Sequence, residues 1–269
     1  MRPTGSSSPF VAKFVVLVLA ALWSWTGPVT LAARSADSWT EAKSAHFRVI
    51  GPAKTKPAQV ASRLEIFRDI LDRRGHSLRT SGGDPVTVVL LPGENLLAAQ
   101  AGELIRGETK FAGVTLASVE RPYVLVNARD PNEDTLTTAY RGYLDITLAL
   151  EPEPLPLWFR EGLSAYYQTF GTIRSAALIG RPVPEYAAYL RQHEPLPLAV
   201  VLTMKRAELD RLGPEERLLF TAQAWAIVHY QFSAGSAGKR QIGRLLELLG
   251  RDVPPADAVR QAFGTDLGG

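Results

Sequence analysis

The chain has 269 residues, of which 46% are hydrophobic and 21% charged, enough to bury a substantial core in one or two domains. No cysteine is present, which excludes disulfides, a thiol nucleophile and any cysteine-ligated metal. There are 30 Lys and Arg against 27 Asp and Glu; without Arg2 and Lys13, which belong to a targeting segment, 28 remain against 27, and this near-neutral balance argues against nucleic acid as a partner.

The first residues read as a segment apart from the core. Arg2 and Lys13 precede an apolar run from Phe14 to Trp25, and small residues follow up to Ala33. A basic start, a short apolar stretch and small residues before a cut describe a secretory signal. The expectation is a signal peptide over residues 1–33 and an exported protein, periplasmic or extracellular. It would touch a membrane only where this segment stays uncleaved, and the apolar run is short for a span.

Residues 34–130 read as an α/β subdomain. Alternation through His46, Phe47, Arg48, Val49 and Ile50 predicts a first strand, stopped by Gly51 and Pro52. Val60, Leu64, Phe67 and Leu71 recur at helical spacing and predict an amphipathic helix over 57–74, with Gly75 as its C-cap. Val86–Leu91 is a continuous apolar strand bounded by prolines, and β-rich runs follow at 114–117 and 123–126. Strand, helix and three more strands make a mixed sheet with one long helix.

Residues 131–269 read as a helical subdomain, and its first two helices carry the distinctive chemistry. They are predicted over 135–150 and 157–170. Prolines at 152, 154 and 156 form the turn between them, because Pro cannot continue a helix. Glu151 and Glu153 in that turn read as solvated charges. Glu161 lies about one turn into the second helix, among Trp158, Phe159, Tyr166, Tyr167 and Phe170, an aromatic set spaced as a core face. A Glu in such company needs a partner, since Glu is almost never buried alone.

The block LPLWFREGLSAYY, residues 155–167, resembles the second active-site helix of bacterial peptidase MA-like proteins, a branch of the zinc gluzincins. AQAWAIVHYQF, residues 222–232, resembles their C-terminal helix. The resemblance covers most of residues 38–267 and implies an α+β fold, an N-terminal mixed sheet followed by a mostly helical gluzincin-like part. In that family a first helix carries H-E-x-x-H. Its two histidines share a helix face and bind zinc, the Glu between them activates the metal-bound water, and a Glu on the next helix is the third ligand. Glu161 stands at the third-ligand position.

The first helix departs from the family pattern. The H-E-x-x-H window falls on residues 141–145, where Arg141 replaces the first His, Gly142 the general base and Asp145 the second His. Arg offers a metal no lone pair, and Gly has no side chain to take a proton. Zinc is the family's cofactor, and no cofactor is expected here. Arg141 and Asp145 are i and i+4, so a guanidinium there is able to meet both carboxylates with forked hydrogen bonds. The expectation is an Arg141–Asp145–Glu161 network in place of the zinc site. The alternatives are an ordinary exposed Arg141–Asp145 pair, or a surviving metal site of Asp145 and Glu161 with His229 as a further ligand.

The remaining chain is helical, with helices predicted over 186–191, 199–212, 214–232 and 239–249, a small-residue loop over 233–238 and a last short helix. His229 shares a helical stripe with Leu218, Ala222 and Trp225 and reads as a core histidine. His46 lies in a strand and His76 and His193 in loops, and none has a second His at i+4. Ser164 lacks the Gly-x-Ser-x-Gly elbow of a nucleophile. The functional expectation is an exported, non-catalytic peptidase-like protein whose cleft binds a peptide or an envelope protein. The alternative is an active metallopeptidase built on Asp145 and Glu161. In such folds a sheet edge aligns extended peptides by β-augmentation.

Overall fold

A computed structural model describes residues 38–73, 85–93, 113–116, 122–128, 133–149, 155–174 and 176–264. The proposed signal segment lies outside the described residues, as do Gly75, His76, Glu151 and Glu153.

The N-terminal part is a five-stranded mixed sheet. Its strands are β1 (Trp39–Lys43), β2 (Phe47–Pro52), β3 (Val86–Leu91), β4 (Gly113–Leu116) and β5 (Tyr123–Asn127), in the order β1-β2-β3-β5-β4. The inner strands β2, β3 and β5 run parallel, and the edge strands β1 and β4 are antiparallel to their neighbours. Phe47, Val49, Val86, Val88, Leu90, Val124 and Val126 are fully buried, whereas Arg48, Val89 and Leu125 between them are not. This alternation gives the sheet one core face. Helices α1 (Pro57–Arg73) and α2 (Glu133–Ala149) cover it, α1 over β1 and β2, α2 over β4 and β5.

The stripe Val60, Leu64, Phe67 and Leu71 that marks α1 in the sequence is its buried face. Phe67 sits at the centre of an aromatic group, with ring centroids 4.6 Å from Tyr140, 5.0 Å from Phe170, 6.3 Å from Tyr143 and 6.4 Å from Tyr167. Tyr140 and Tyr143 come from α2, and Tyr167 from α3 (Leu157–Tyr167). The core therefore continues from the sheet into the helical part as one cluster.

After α3 a two-stranded hairpin, β6 (Gly171–Ile173) and β7 (Ala176–Leu178), precedes α4 (Pro184–Gln192), α5 (Leu198–Thr203), α6 (Arg206–Leu209), α7 (Pro214–Ser233), α8 (Gly235–Gly250) and α9 (Pro255–Phe263). α7 is the central helix of this half. At Gly162 a Cβ would stand 2.3 Å from the Ala224 carbonyl oxygen, so glycine is what lets α3 lie against the α7 backbone. Among the described residues no helix is long and apolar enough to cross a membrane.

Two elements have no expectation in the sequence, and two local expectations are corrected. β1 has no counterpart in the sequence reading, because as an exposed edge strand with only Ala42 partly covered it shows no burial alternation. The β6–β7 hairpin is likewise too short to leave a periodic signal. The helix predicted over 199–212 is two helices: Met204 and Lys205 are extended, and the Glu208 carboxylate accepts from the Lys205 backbone N–H at 2.8 Å, capping a new start. Residues 233–238 are a tight corner rather than a loop. A Cβ on Gly238 would fall 1.9 Å from the Gln231 carbonyl oxygen, so small residues there let α8 fold back on α7.

Candidate functional site

The site lies where α2, α3 and α6 meet. The second helix presents Glu161, Ser164 and Gln168 at i, i+3 and i+7, one face toward α2. Arg141 on α2 donates from Nη2 to Glu161 Oε2 at 2.5 Å and from Nη1 to Gln168 Oε1 at 3.4 Å. Arg206 on α6 donates from Nη2 to the other oxygen, Glu161 Oε1, at 2.7 Å. The break after Thr203 is what gives Arg206 this direction. Both oxygens of Glu161 are thus held by guanidinium groups.

Asp145 stands at the edge of the cluster. Its Oδ2 is 3.9 Å from Arg141 Nε, an ion-pair distance too long for a hydrogen bond. Its Oδ1 instead accepts from the Ser164 hydroxyl at 2.7 Å. Arg141, Asp145 and Glu161 are therefore brought together as the sequence suggests, with the pairing unequal. Ser164, considered only as a nucleophile in the sequence, positions Asp145.

The environment pushes the two carboxylates apart. Burial would raise Glu161, but Arg141 and then Arg206 outweigh it and hold its carboxyl below the ordinary value. Burial also raises Asp145; Arg141 opposes it, the Glu161 charge adds to it, and the net direction is upward. For Arg141 burial favours the neutral form, yet Glu161 and Asp145 more than compensate and the guanidinium stays charged. Arg160 adds a further positive charge acting on both carboxylates. The side chains of Arg141 and Glu161 keep 25% and 12% of their surface in solvent, so this is a half-sheltered pair, whereas Arg206 is 54% exposed.

Gly142 faces the sheet. A Cβ there would lie 2.4 Å from Val124 Cγ1 and 3.0 Å from Thr115 Oγ1, so β5 and β4 fill the space a side chain would need. Position 142 therefore has neither a side chain able to act as a base nor room for one without moving Val124. Arg141-Gly142 and Glu161-Gly162 are matched pairs: in each, one residue reaches the ion cluster and the next lets its helix close on its neighbour.

The donor set does not fit zinc. Arg141 has no lone pair, both Glu161 oxygens are engaged by arginines, and Asp145 is the other carboxylate. Among the described residues no three His, Cys, Asp or Glu side chains converge as a metal site needs. The His229 ring lies tilted against Trp225 with ring centroids 4.9 Å apart, and burial lowers its pKa; no ion pair or hydrogen bond joins it to Asp145 or Glu161. His46 precedes β2 rather than lying in it, with Nδ1 2.8 Å from Glu65, and His193 stacks on Tyr189 at 3.8 Å. Trp158, Phe159, Tyr166, Tyr167 and Phe170 are core residues. At the opposite sheet edge, a groove of about 450 Å³ lined by Thr40, Glu41, Ala42, Lys56 and Gln59 contains no histidine and no paired carboxylates.

No family model and no curated protein matches the chain. The geometry itself is what bears on function. The sequence reading did not include Arg206, Gln168 or the Ser164–Asp145 bond. Gln168 and Ser164 were legible as the i+7 and i+3 neighbours of Glu161, while Arg206, 45 residues away in the chain, carried no such signal.

Proposed function

We propose that this chain is an exported, non-catalytic protein of the peptidase MA-like type, and that the cleft above α2 and α3 binds a peptide or an envelope protein. The observation that carries the reading is the pair of guanidinium bonds to Glu161. Arg141 and Arg206 occupy the two oxygens that a third zinc ligand would offer. A fixed cation on the protein then does what the metal does for helix registry: it ties the first helix to the second. It does so without a Lewis-acid centre, and with Gly142 packed on Val124 no side chain is placed to activate water.

The test is incubation of the purified protein with a randomised octapeptide pool, followed by mass spectrometry of the retained and free fractions. Retention of intact peptides is expected, with none of the shortened products a peptidase leaves. Cleavage that persists in independently prepared protein and disappears on Glu161→Ala would overturn the reading.

A further inference from the structure

Beneath α4 lies a small aromatic site distinct from the ion cluster. Trp225 on α7 is 5% exposed, and its indole Nε1 has no hydrogen-bond partner among the described residues. One turn further, Nδ1 of His229 is also buried without a partner. Their rings lie 4.9 Å apart, Tyr186 of α4 meets Trp225 edge-on at 5.8 Å, and Tyr166 of α3 stands 6.1 Å from His229. Leaving a polar group buried and unpaired is costly, so two neighbouring ones call for an explanation.

α4 is the element that covers them. None of its residues is fully buried, and it rests on a small cluster of Ala165, Val183 and Trp225 separate from the main core. Its flanks are tied down. Arg181 Nε donates to the Thr169 carbonyl at 2.9 Å, and the Leu196 backbone exchanges two hydrogen bonds with the Gln223 amide at 2.9 and 3.0 Å. α4 itself has no fully buried residue, and among the described residues few side-chain bonds tie it to its neighbours: the Tyr189 hydroxyl to the Glu215 carbonyl at 3.2 Å, and Tyr186 to Arg141. This places it toward the low end of local opening free energies.

We infer that α4 is a movable cover and that Trp225 and His229 beneath it form a subsite for the backbone of an extended peptide. The indole N–H only donates and takes a backbone carbonyl. With its proton on Nε2, a neutral His229 accepts a backbone N–H at Nδ1. One donor and one acceptor side by side match the C=O and N–H of a single residue in an extended peptide, which point to the same side of the chain. Burial favours the neutral imidazole, as this role requires. Tyr186 also acts on the Arg141 guanidinium, so movement of α4 is felt at the ion cluster. The inference rests on the reading of the cleft as a peptide-binding site, and it names the part of the peptide recognised.

The test titrates the full, ¹⁵N-labelled chain with a neutral probe, acetyl-Ala-Ser-Ala-Ser-Ala-amide, following the indole N–H resonances. The Trp225 signal is identified by its loss in Trp225→Phe, a variant that keeps an aromatic ring at the position and removes the donor together with part of the ring. A saturable shift of that signal is expected. Trp225→Phe should bind about tenfold more weakly while staying folded, at a stability somewhat lowered by the smaller ring. Tyr186→Ala, which loosens the cover, should bind several-fold more tightly, because a larger fraction of molecules is open. Probe binding with no movement of the Trp225 signal and no weakening in Trp225→Phe would overturn the subsite and leave peptide binding intact. No binding by either the wild type or Tyr186→Ala would overturn both.

Discussion

α2 meets its surroundings along two seams of opposite character. Toward the sheet and α1 it presents Tyr140, Tyr143 and Gly142, which pack against Phe67, Phe47 and Val124, with charged Arg68, Asp72 and Glu65 of α1 only beside the Tyr143 hydroxyl. Toward α3 and α6 it presents Arg141 and Asp145, which meet Glu161, Ser164 and Arg206. The first seam is held mainly by area and shape, so its strength depends little on pH or salt. The second is held by charge in a half-sheltered place, where pairing must offset desolvation and geometry decides the sign. The comparison teaches that a charged junction depends on an uncharged one: guanidiniums close the gap between α2, α3 and α6, and the apolar seam keeps the helices where the pair needs them.

The largest effect belongs to the apolar seam. Phe67→Ala removes the ring at the centre of four aromatic contacts and should cost about 3–5 kcal/mol by urea unfolding, equally at pH 5 and pH 8. Glu161→Ala strikes the other seam and should cost about 2–3 kcal/mol at pH 7, because it leaves Arg141 sheltered without its partner. Equal losses at low and high salt would contradict an ionic origin.

Gly142→Ala should cost about 1–3 kcal/mol by crowding Val124, and adding Val124→Ala should recover part of that loss. A second variant with no recovery would show that the glycine serves the helix backbone and not its contact with β5. The two carboxylates should respond in opposite directions. Glu161 has its folded pKa below the ordinary 4.5, so it contributes stability above that value, lost as pH falls through the folded pKa. Asp145 is raised, so its share is present below the ordinary 3.8 and is lost as pH rises through the folded pKa. Glu161→Gln should therefore flatten part of the acid limb of a stability–pH curve. Asp145→Asn, which keeps an acceptor for Ser164, should be neutral or slightly stabilising at pH 7, within about 0.5 kcal/mol. Arg206→Ala should also have a small effect, at most about 1 kcal/mol, as its guanidinium is largely in solvent.

These seams were not equally legible in the sequence. The apolar one was readable from periodicity: the stripe of α1, the run Val86–Leu91 and the aromatics of α3 all face the core, and the α+β order follows from them. The ionic one was readable only within a helix pair. Arg141 and Asp145 at i and i+4, and Glu161 with Ser164 three residues on, are local patterns. Arg206 was not, because its direction depends on a helix break at Met204 and Lys205 that looks like continuous helix in composition. Gly142 was legible as a missing base but not as a packing site, since nothing in the chain announces that Val124 lies opposite. Edge strand β1 escaped because an exposed strand alternates nothing.

The central claim, the proposed reading of the guanidiniums on Glu161 as a replacement for a metal, is tested most directly by zinc content. Wild-type protein dialysed against trace zinc and analysed for metal should retain close to none, whereas Arg141→His combined with Asp145→His, which restores two ligands on the face of Glu161, should gain it. Near-stoichiometric zinc in the wild type, lost on Asp145→Ala or Glu161→Ala, would contradict the account.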